Sequence, residues 1–167
     1  MALVIRDAVD DDLPAMVAIY NQLVRDTTVV WTEDEQTIDE RRAHTAALRA
    51  RGFAVLVADI DGVVAGVASY GDFRDSISKP GYRFTAEHSI HLAEGHRGQG
   101  IGPVLLDGLL DRARAQGIHT MVAGADGDNE GSIRFHERHG FEVTARMAGL
   151  GFKFGRWLDL VLLQRTL

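Results

Sequence analysis

A chain of 167 residues, 46% hydrophobic and 25% charged, has the length and composition of one folded domain with a real core, not of a disordered or fibrous segment. Its formal charge of −6 argues against nucleic acid as the main partner, because phosphate backbones are bound by clustered Lys and Arg. Cysteine is absent, which excludes disulfides, a thiol nucleophile and thiolate metal ligands and agrees with a cytoplasmic protein. The longest apolar runs, such as Val63–Ala68, fall far below the roughly 20 residues of a membrane span, and the charged opening Met1–Asp10 is unlike a signal peptide.

In chain order, Leu3–Arg6 reads as a short first strand at a sheet edge. Asp10-Asp11-Asp12 offers N-cap and first-turn acids to a helix that Pro14 opens, with Leu13, Met16, Val17, Ile19 and Tyr20 apolar along it. A second helix is predicted from about Thr37 to Arg49. Phe53–Ala58 and Val63–Tyr70 are strand-like runs, and Asp61-Gly62 between them is a strong hairpin signal. A loop with Gly71, Pro80 and Gly81 precedes a strand over Tyr82–Leu92. Gly100–Gln116 carries Leu105, Leu106, Leu109, Leu110 and Ala113 at helical spacing and ends at Gly117. His119–Ala125 is predicted as a strand, Asn129–His139 as a helix closed by Gly140, and Phe141–Met147 and Trp157–Gln164 as two last strands. The order β-α-α-β-β-β-α-β-α-β-β implies a mixed α/β (α+β) fold around one sheet, and not a doubly wound array.

The densest motif is His96-Arg97-Gly98-Gln99-Gly100-Ile101-Gly102, which leaves a strand and enters a helix. Glycines let successive N–H groups converge on one point, and the helix N-terminus adds positive potential, so the segment suits a pyrophosphate. Pro103 is tolerated because first-turn N–H groups have no intrahelical partner. Neither G-x-G-x-x-G nor a Walker A sequence is present. Seven histidines show no ligand-like spacing with a paired acid, so no metal is expected.

The segment Arg97-x-x-Gly100-x-Gly102 resembles the coenzyme A loop of the GNAT superfamily of N-acetyltransferases. The downstream pattern Asn129-x-x-Ser132-x-x-Phe135-His136-Glu137-x-x-Gly140-Phe141 resembles that superfamily's second signature. Further segments are similar to the phosphinothricin and methionine sulfoximine acetyltransferases within it: Tyr70-Gly71-Asp72-Phe73-Arg74, Thr85-Ala86-Glu87-His88-Ser89 and Gly151–Asp159 among them. The sequence departs from that group at His91, where a tyrosine is usual, and in the loop Asp75–Gly81.

This resemblance implies a single GNAT domain over 1–167, with a mostly antiparallel sheet of about seven strands and about four helices. It also implies acetyl-CoA as co-substrate, a small-molecule amine as acceptor and a homodimer. Glu87 is the expected general base, since an ammonium must lose a proton before it attacks a thioester. His136 is expected to donate a proton to the departing thiolate or to contact the coenzyme. The coenzyme is expected along Ile90, His91 and Leu92, on the loop Arg97, Gly98, Gln99, Gly100, Ile101, Gly102 and Pro103, and beside Asn129 and Ser132. An amino-acid acceptor carries a carboxylate, which calls for arginine, and Arg74 and Arg83 are the candidates. His88 and Ser89 border Glu87, although strand alternation turns at least one away, and Trp31, Phe73 and Phe154 are candidate pocket walls. On the sequence alone, the rivals are acetylation of another amine (a protein N-terminus, a polyamine, an aminoglycoside) and a coenzyme-binding module without turnover.

Overall fold

The strand signals resolve, in a computed structural model that describes residues 2–167, into one seven-stranded sheet. The elements are β1 (Leu3–Asp7), α1 (Leu13–Asp26), α2 (Ile38–Ala50), β2 (Val55–Ile60), β3 (Val63–Asp72), β4 (Thr85–Leu92), α3 (Ile101–Ala115), β5 (Thr120–Asp126), α4 (Glu130–Arg138), β6 (Glu142–Lys153) and β7 (Arg156–Thr166). Spatial order is β1-β2-β3-β4-β5-β7-β6, so β1 is an edge strand as its length suggested. Every neighbouring pair is antiparallel except β4–β5. That exception follows from α3, whose crossover returns the chain in the same direction.

Two apolar layers hold the sheet. On one face, Leu105, Leu106, Leu109 and Leu110 of α3 and Ile133 of α4 are buried against Leu56, Ala68, Met121 and Leu163. Each such leucine contributes about 1.5–3 kcal/mol by leaving water. On the other face, Leu13, Met16 and Ile19 of α1 pack on Val55, Val57 and Val67. The Asp61-Gly62 turn has both residues at positive φ, 51° and 88°, the conformation a tight two-residue hairpin requires. No helix among the described residues is long and apolar enough to cross a membrane.

The structure corrects several boundaries. Asp10–Asp12 form a 3-10 turn, and Asp12 does not cap α1 with its side chain. Its carboxylate instead accepts from the Val9 N–H (2.7 Å) and from both ends of the Arg6 guanidinium, which holds its pKa below the ordinary value. Phe53 precedes β2 because its N–H closes α2 on the Leu48 carbonyl. Gly71 lies within β3, paired with Glu87. Tyr82 closes a turn on Lys79, so β4 begins only at Thr85. β6 runs on to Lys153 because register shifts after Val143 and Met147 absorb the extra residues around Gly149.

Candidate functional site

The parallel pair β4–β5 is short. Thr85–His88 pair with Thr120–Ala123, and there the pairing stops. Beyond it, Ser89–Leu92 remain bonded to β3 and Gly124–Asp126 to β7, so the two strands part and leave backbone N–H and C=O groups facing an opening.

At the wide end of this opening stands the start of α3. Gly98 and Gly100 have φ of 76° and 78°, a left-handed conformation that costs other residues about 1–2 kcal/mol. A groove of about 570 Å³ runs from here along the gap. Arg97, Gly98, Gly100, Gly102 and Pro103 line it from the loop and α3; Ile90, His91 and Leu92 line it from β4. Asn129, Ser132 and His136 close it from α4, where Asn129 also caps the helix by accepting from the Ser132 N–H at 3.1 Å. Two expected residues turn elsewhere. Gln99 donates to the Gly95 carbonyl at 2.6 Å and braces the loop, and Ile101 is buried in the core under α3.

A second cavity, of about 370 Å³, lies beneath α1, α2 and the loop that joins them. It shares Val29, Ile90, His91, Ser132 and His136 with the groove, so the two meet where the strands part. Glu87 lines it, half-buried and facing neither an ion-pair nor a hydrogen-bond partner among the described residues; burial raises its pKa. Across from it, a Cβ at Gly124 would stand 3.2 Å from the Glu87 Oε1, so the glycine leaves the carboxylate room. Ser89 points the same way, its Oγ 3.4 Å from that of Ser69. His88 reaches the cavity from the opposite face of β4, packed 5.1 Å from the His136 ring and 5.5 Å from Phe141, as alternation requires. Burial pushes His88 down to about 3 and, with the charges of Arg41 and Arg97 behind it, His91 down to about 4, so both rings are neutral.

His136 is 3% exposed. Its Nδ1 lies 2.7 Å from the Ser132 carbonyl, which can only accept, so the ring proton sits on Nδ1. Nε2 then carries a lone pair, buried and without a partner, and burial lowers the pKa of the ring. In this arrangement the neutral imidazole has no proton to offer from Nε2, contrary to the expectation of a proton donor.

The remaining sequence candidates lie around the cavity and not in it. The Trp31 indole donates to the Thr28 carbonyl at 2.9 Å and lies flat on Gly151, where a Cβ would collide with the ring. Phe154 sits at the β6–β7 turn, with its N–H on Glu33 and its side chain 47% exposed. Between them the buried Lys153 Nζ donates to the Thr27 and Val30 carbonyls. These residues pin the loop whose Val29 and Val30 roof the cavity. Phe73 lines a separate shallow cleft with Tyr82, Thr85 and Val122, one strand step from Glu87. Arg74 lies over the Phe73 and Tyr82 rings at 5.6 and 5.7 Å, and Arg83 over Phe84 at 4.3 Å, so neither enters the Glu87 cavity.

Sequence reasoning missed Tyr20, Arg41, His44 and Ser69, all of which line the cavity. The signal for Arg41 was present: it shares a helical stripe with buried Thr45 and inward-packed Leu48, three to four residues apart. No group of three or more His, Cys, Asp or Glu among the described residues is arranged to hold a metal.

Parting a parallel strand pair beside a glycine-built helix start makes room for an extended arm, and a half-buried carboxylate lines the cavity that meets it. Fold and site are together those of an acyltransferase that uses an acyl-coenzyme A donor. The chain belongs to the Acetyltransferase (GNAT) family, whose sequence pattern matches residues 16–141. It is 46% identical, over all of its own length and 96% of the relative's, to an L-methionine sulfoximine/L-methionine sulfone acetyltransferase of Pseudomonas paraeruginosa. Among solved structures, a phosphinothricin acetyltransferase from Sinorhizobium meliloti in complex with acetyl-CoA superposes with a TM-score of 0.94 at 36% identity, covering 100% of this chain and 89% of that one. A ribosomal-protein-alanine N-acetyltransferase from Brucella melitensis superposes with a TM-score of 0.95 at 41% identity, covering 98% and 99%. The protein is an acetyl-CoA-dependent N-acetyltransferase.

The groove fits that co-substrate by its own chemistry. The glycine loop and Arg97 stand at the start of α3, the β4 groups beyond His88 have no partner on β5, and Leu92 and Phe135 add apolar surface, a lining compatible with an anionic, amide-bearing ligand. Gly100→Val should therefore raise the KM for acetyl-CoA at least tenfold, because the loop must leave its left-handed conformation. Steady-state kinetics at saturating amine would measure it, and an unchanged KM would count against the loop as a phosphate site.

Proposed function

We propose that the protein, working as a single domain, transfers the acetyl group of acetyl-CoA to the α-amino group of a small L-amino acid derivative. Methionine sulfone, methionine sulfoximine and phosphinothricin are the substrate type. The observation that carries this reading is the junction of groove and cavity at Ile90 and His91, with Glu87 on the cavity side. The names of the similar Pseudomonas and Sinorhizobium enzymes supply the substrate class, and a roofed cavity of about 370 Å³ suits a small amine better than a polypeptide.

Acetyl-CoA supplies the activated acyl carbon. Glu87, ionised above its raised pKa, takes the ammonium proton directly or through one water. The neutral His136 ring, fixed by its Nδ1–H on the Ser132 carbonyl and packed on His88 and Phe141, shapes the junction where the amine meets the thioester. Strand N–H groups in Ile90–Leu92 steady the carbonyl oxygen as the nitrogen–carbon bond forms. The carbon–sulfur bond then breaks, coenzyme A leaves as its thiolate, and the second proton of the attacking nitrogen passes through water to that sulfur. Asn129 adds a side-chain amide beside the arm.

The same reading includes a homodimer in the cytoplasm. Leu150, Phe152, Phe154 and Trp157 leave an exposed apolar surface on the β6–β7 hairpin, and such surfaces commonly mark interfaces. The lack of cysteine agrees with a reducing compartment.

Free-thiol release from acetyl-CoA, run against a panel of amines, tests the proposal. Turnover is expected with methionine sulfone, methionine sulfoximine or phosphinothricin, and far less with an alanine-terminated peptide, spermidine or an aminoglycoside. Turnover only with the latter group, or with none, would overturn it.

A further inference from the structure

We propose that Arg41 of α2 recognises the acceptor's carboxylate, and so makes the enzyme selective for amino acids over simple amines. This rests on the amino-acid reading above and adds a residue that neither the motifs nor the similar enzymes' names single out. Arg41 lines the cavity of Glu87 but not the coenzyme groove, where Arg97 stands. An anion drawn to Arg41 is therefore a group of the acceptor, not a coenzyme phosphate.

The guanidinium is prepared for such a partner and lacks one. Its Nε is buried without a hydrogen bond, and no carboxylate among the described residues lies within ion-pair distance. The next residue, Arg42, by contrast pairs with both Asp10 and Asp39. Arg41 is half-buried, with its Nε withdrawn from water and unpaired, so it faces the cavity as a cation with a donor still to be satisfied. Its position is fixed from two sides. The ring of Tyr20 lies under it, 4.8 Å from its central carbon. The Thr37–Glu40 capping box, which ends one residue before Arg41, fixes the start of α2. Such stacking holds arginine flat and leaves its fork free for a two-oxygen ligand, which lysine cannot match.

The groups facing Arg41 do not neutralise it. His44 and His91 are both driven toward the neutral form, and Tyr20 presents its ring. Glu87 is four residues from His91 on the same face of β4, roughly 13 Å along the strand. The cavity thus carries both a carboxylate, Glu87, and a cation, Arg41. The α-amine and α-carboxylate of an amino acid share one carbon, so a carboxylate held by Arg41 keeps the amine inside the cavity that Glu87 and the groove junction both border. Arg74 and Arg83, the candidates from sequence, are stacked on other rings outside this cavity.

The experiment compares methionine sulfone with its methyl ester in the wild type, Arg41→Lys and Arg41→Gln, by thiol release. In Arg41→Gln the KM for the free acid is expected to rise 30- to 100-fold, with a much smaller change for the ester. The wild-type preference for acid over ester should collapse, and Arg41→Lys should recover part of it. The KM for acetyl-CoA, measured alongside, is expected to stay within twofold and shows that the variant is folded. Equal changes for acid and ester, or no change, would overturn the role of Arg41 while leaving the amino-acid reading intact. A wild type that turns over only amines without a carboxylate would overturn both.

Discussion

Glu87→Gln is expected to lower kcat/KM for the amine by about 10²–10⁴-fold, the usual contribution of a positioned general base. The amide keeps the size and the hydrogen-bonding capacity of the carboxylate but cannot take up a proton. The KM for acetyl-CoA should stay within twofold, since Glu87 lies outside the groove. Burial raises the Glu87 pKa, and the base works only when ionised, so wild-type activity should fall as pH drops through that raised value. Stability moves the other way. Between the ordinary carboxylate pKa and the raised one, the folded state holds more protons than the unfolded chain, so stability declines as pH rises through that window. The Gln variant has no such decline and should be at least as stable as the wild type at neutral pH. Rates between pH 5 and 9, with melting curves over the same range, separate the two effects. A rate within threefold of the wild type would remove Glu87 from the chemistry.

Lys153→Met is expected to have the largest structural effect. The residue is 1% exposed, and its ammonium donates to two carbonyls more than 120 positions away, Thr27 at 2.6 Å and Val30 at 2.8 Å. Methionine fills similar space, so the change isolates the hydrogen bonds and leaves both carbonyls unpaired. That should cost about 3 kcal/mol, from hydrogen bonds to a charged group and the desolvation left behind, and lower the melting temperature by roughly 6–12 °C for a chain of this size. Because Val29 and Val30 roof both the cavity and its junction with the groove, the amine KM should rise as well. Thermal unfolding and amine kinetics check the two consequences. A melting temperature within 1 °C of the wild type would show that the clamp is made elsewhere.

The sequence was most legible where local chemistry decides structure. The leucines of α3, the glycine loop before it and the Asp61-Gly62 hairpin each announce their conformation within a few residues, and Glu87 was placed on the correct strand. Legibility failed where a residue's role depends on what the sheet brings beside it. Arg41 belongs to a helix whose stripe mixes charge with apolar residues, so its inward position is set by packing on Tyr20 and not by its own preference. Arg74 and Arg83 flank the motif in sequence, yet the turn at Pro80–Tyr82 carries them onto a different surface. The proton on His136 was also invisible, because it depends on a carbonyl one helical turn away. Lys153 reads as an ordinary surface lysine until its distant partners are known.

The way β4 and β5 separate has a mechanical consequence. Within the sheet, two antiparallel leaves, β1–β4 and β5–β7, are joined by four residue pairs, with α3 and the Lys153 clamp on the α1–α2 loop tying them outside it. The seam runs into the junction of groove and cavity. An extended arm lying in the gap would be the missing rung between the leaves. The free enzyme would then be able to flex along its seam to admit an acceptor, and the loaded enzyme would hold its two halves, and the groups each half brings to the reaction, in one fixed alignment.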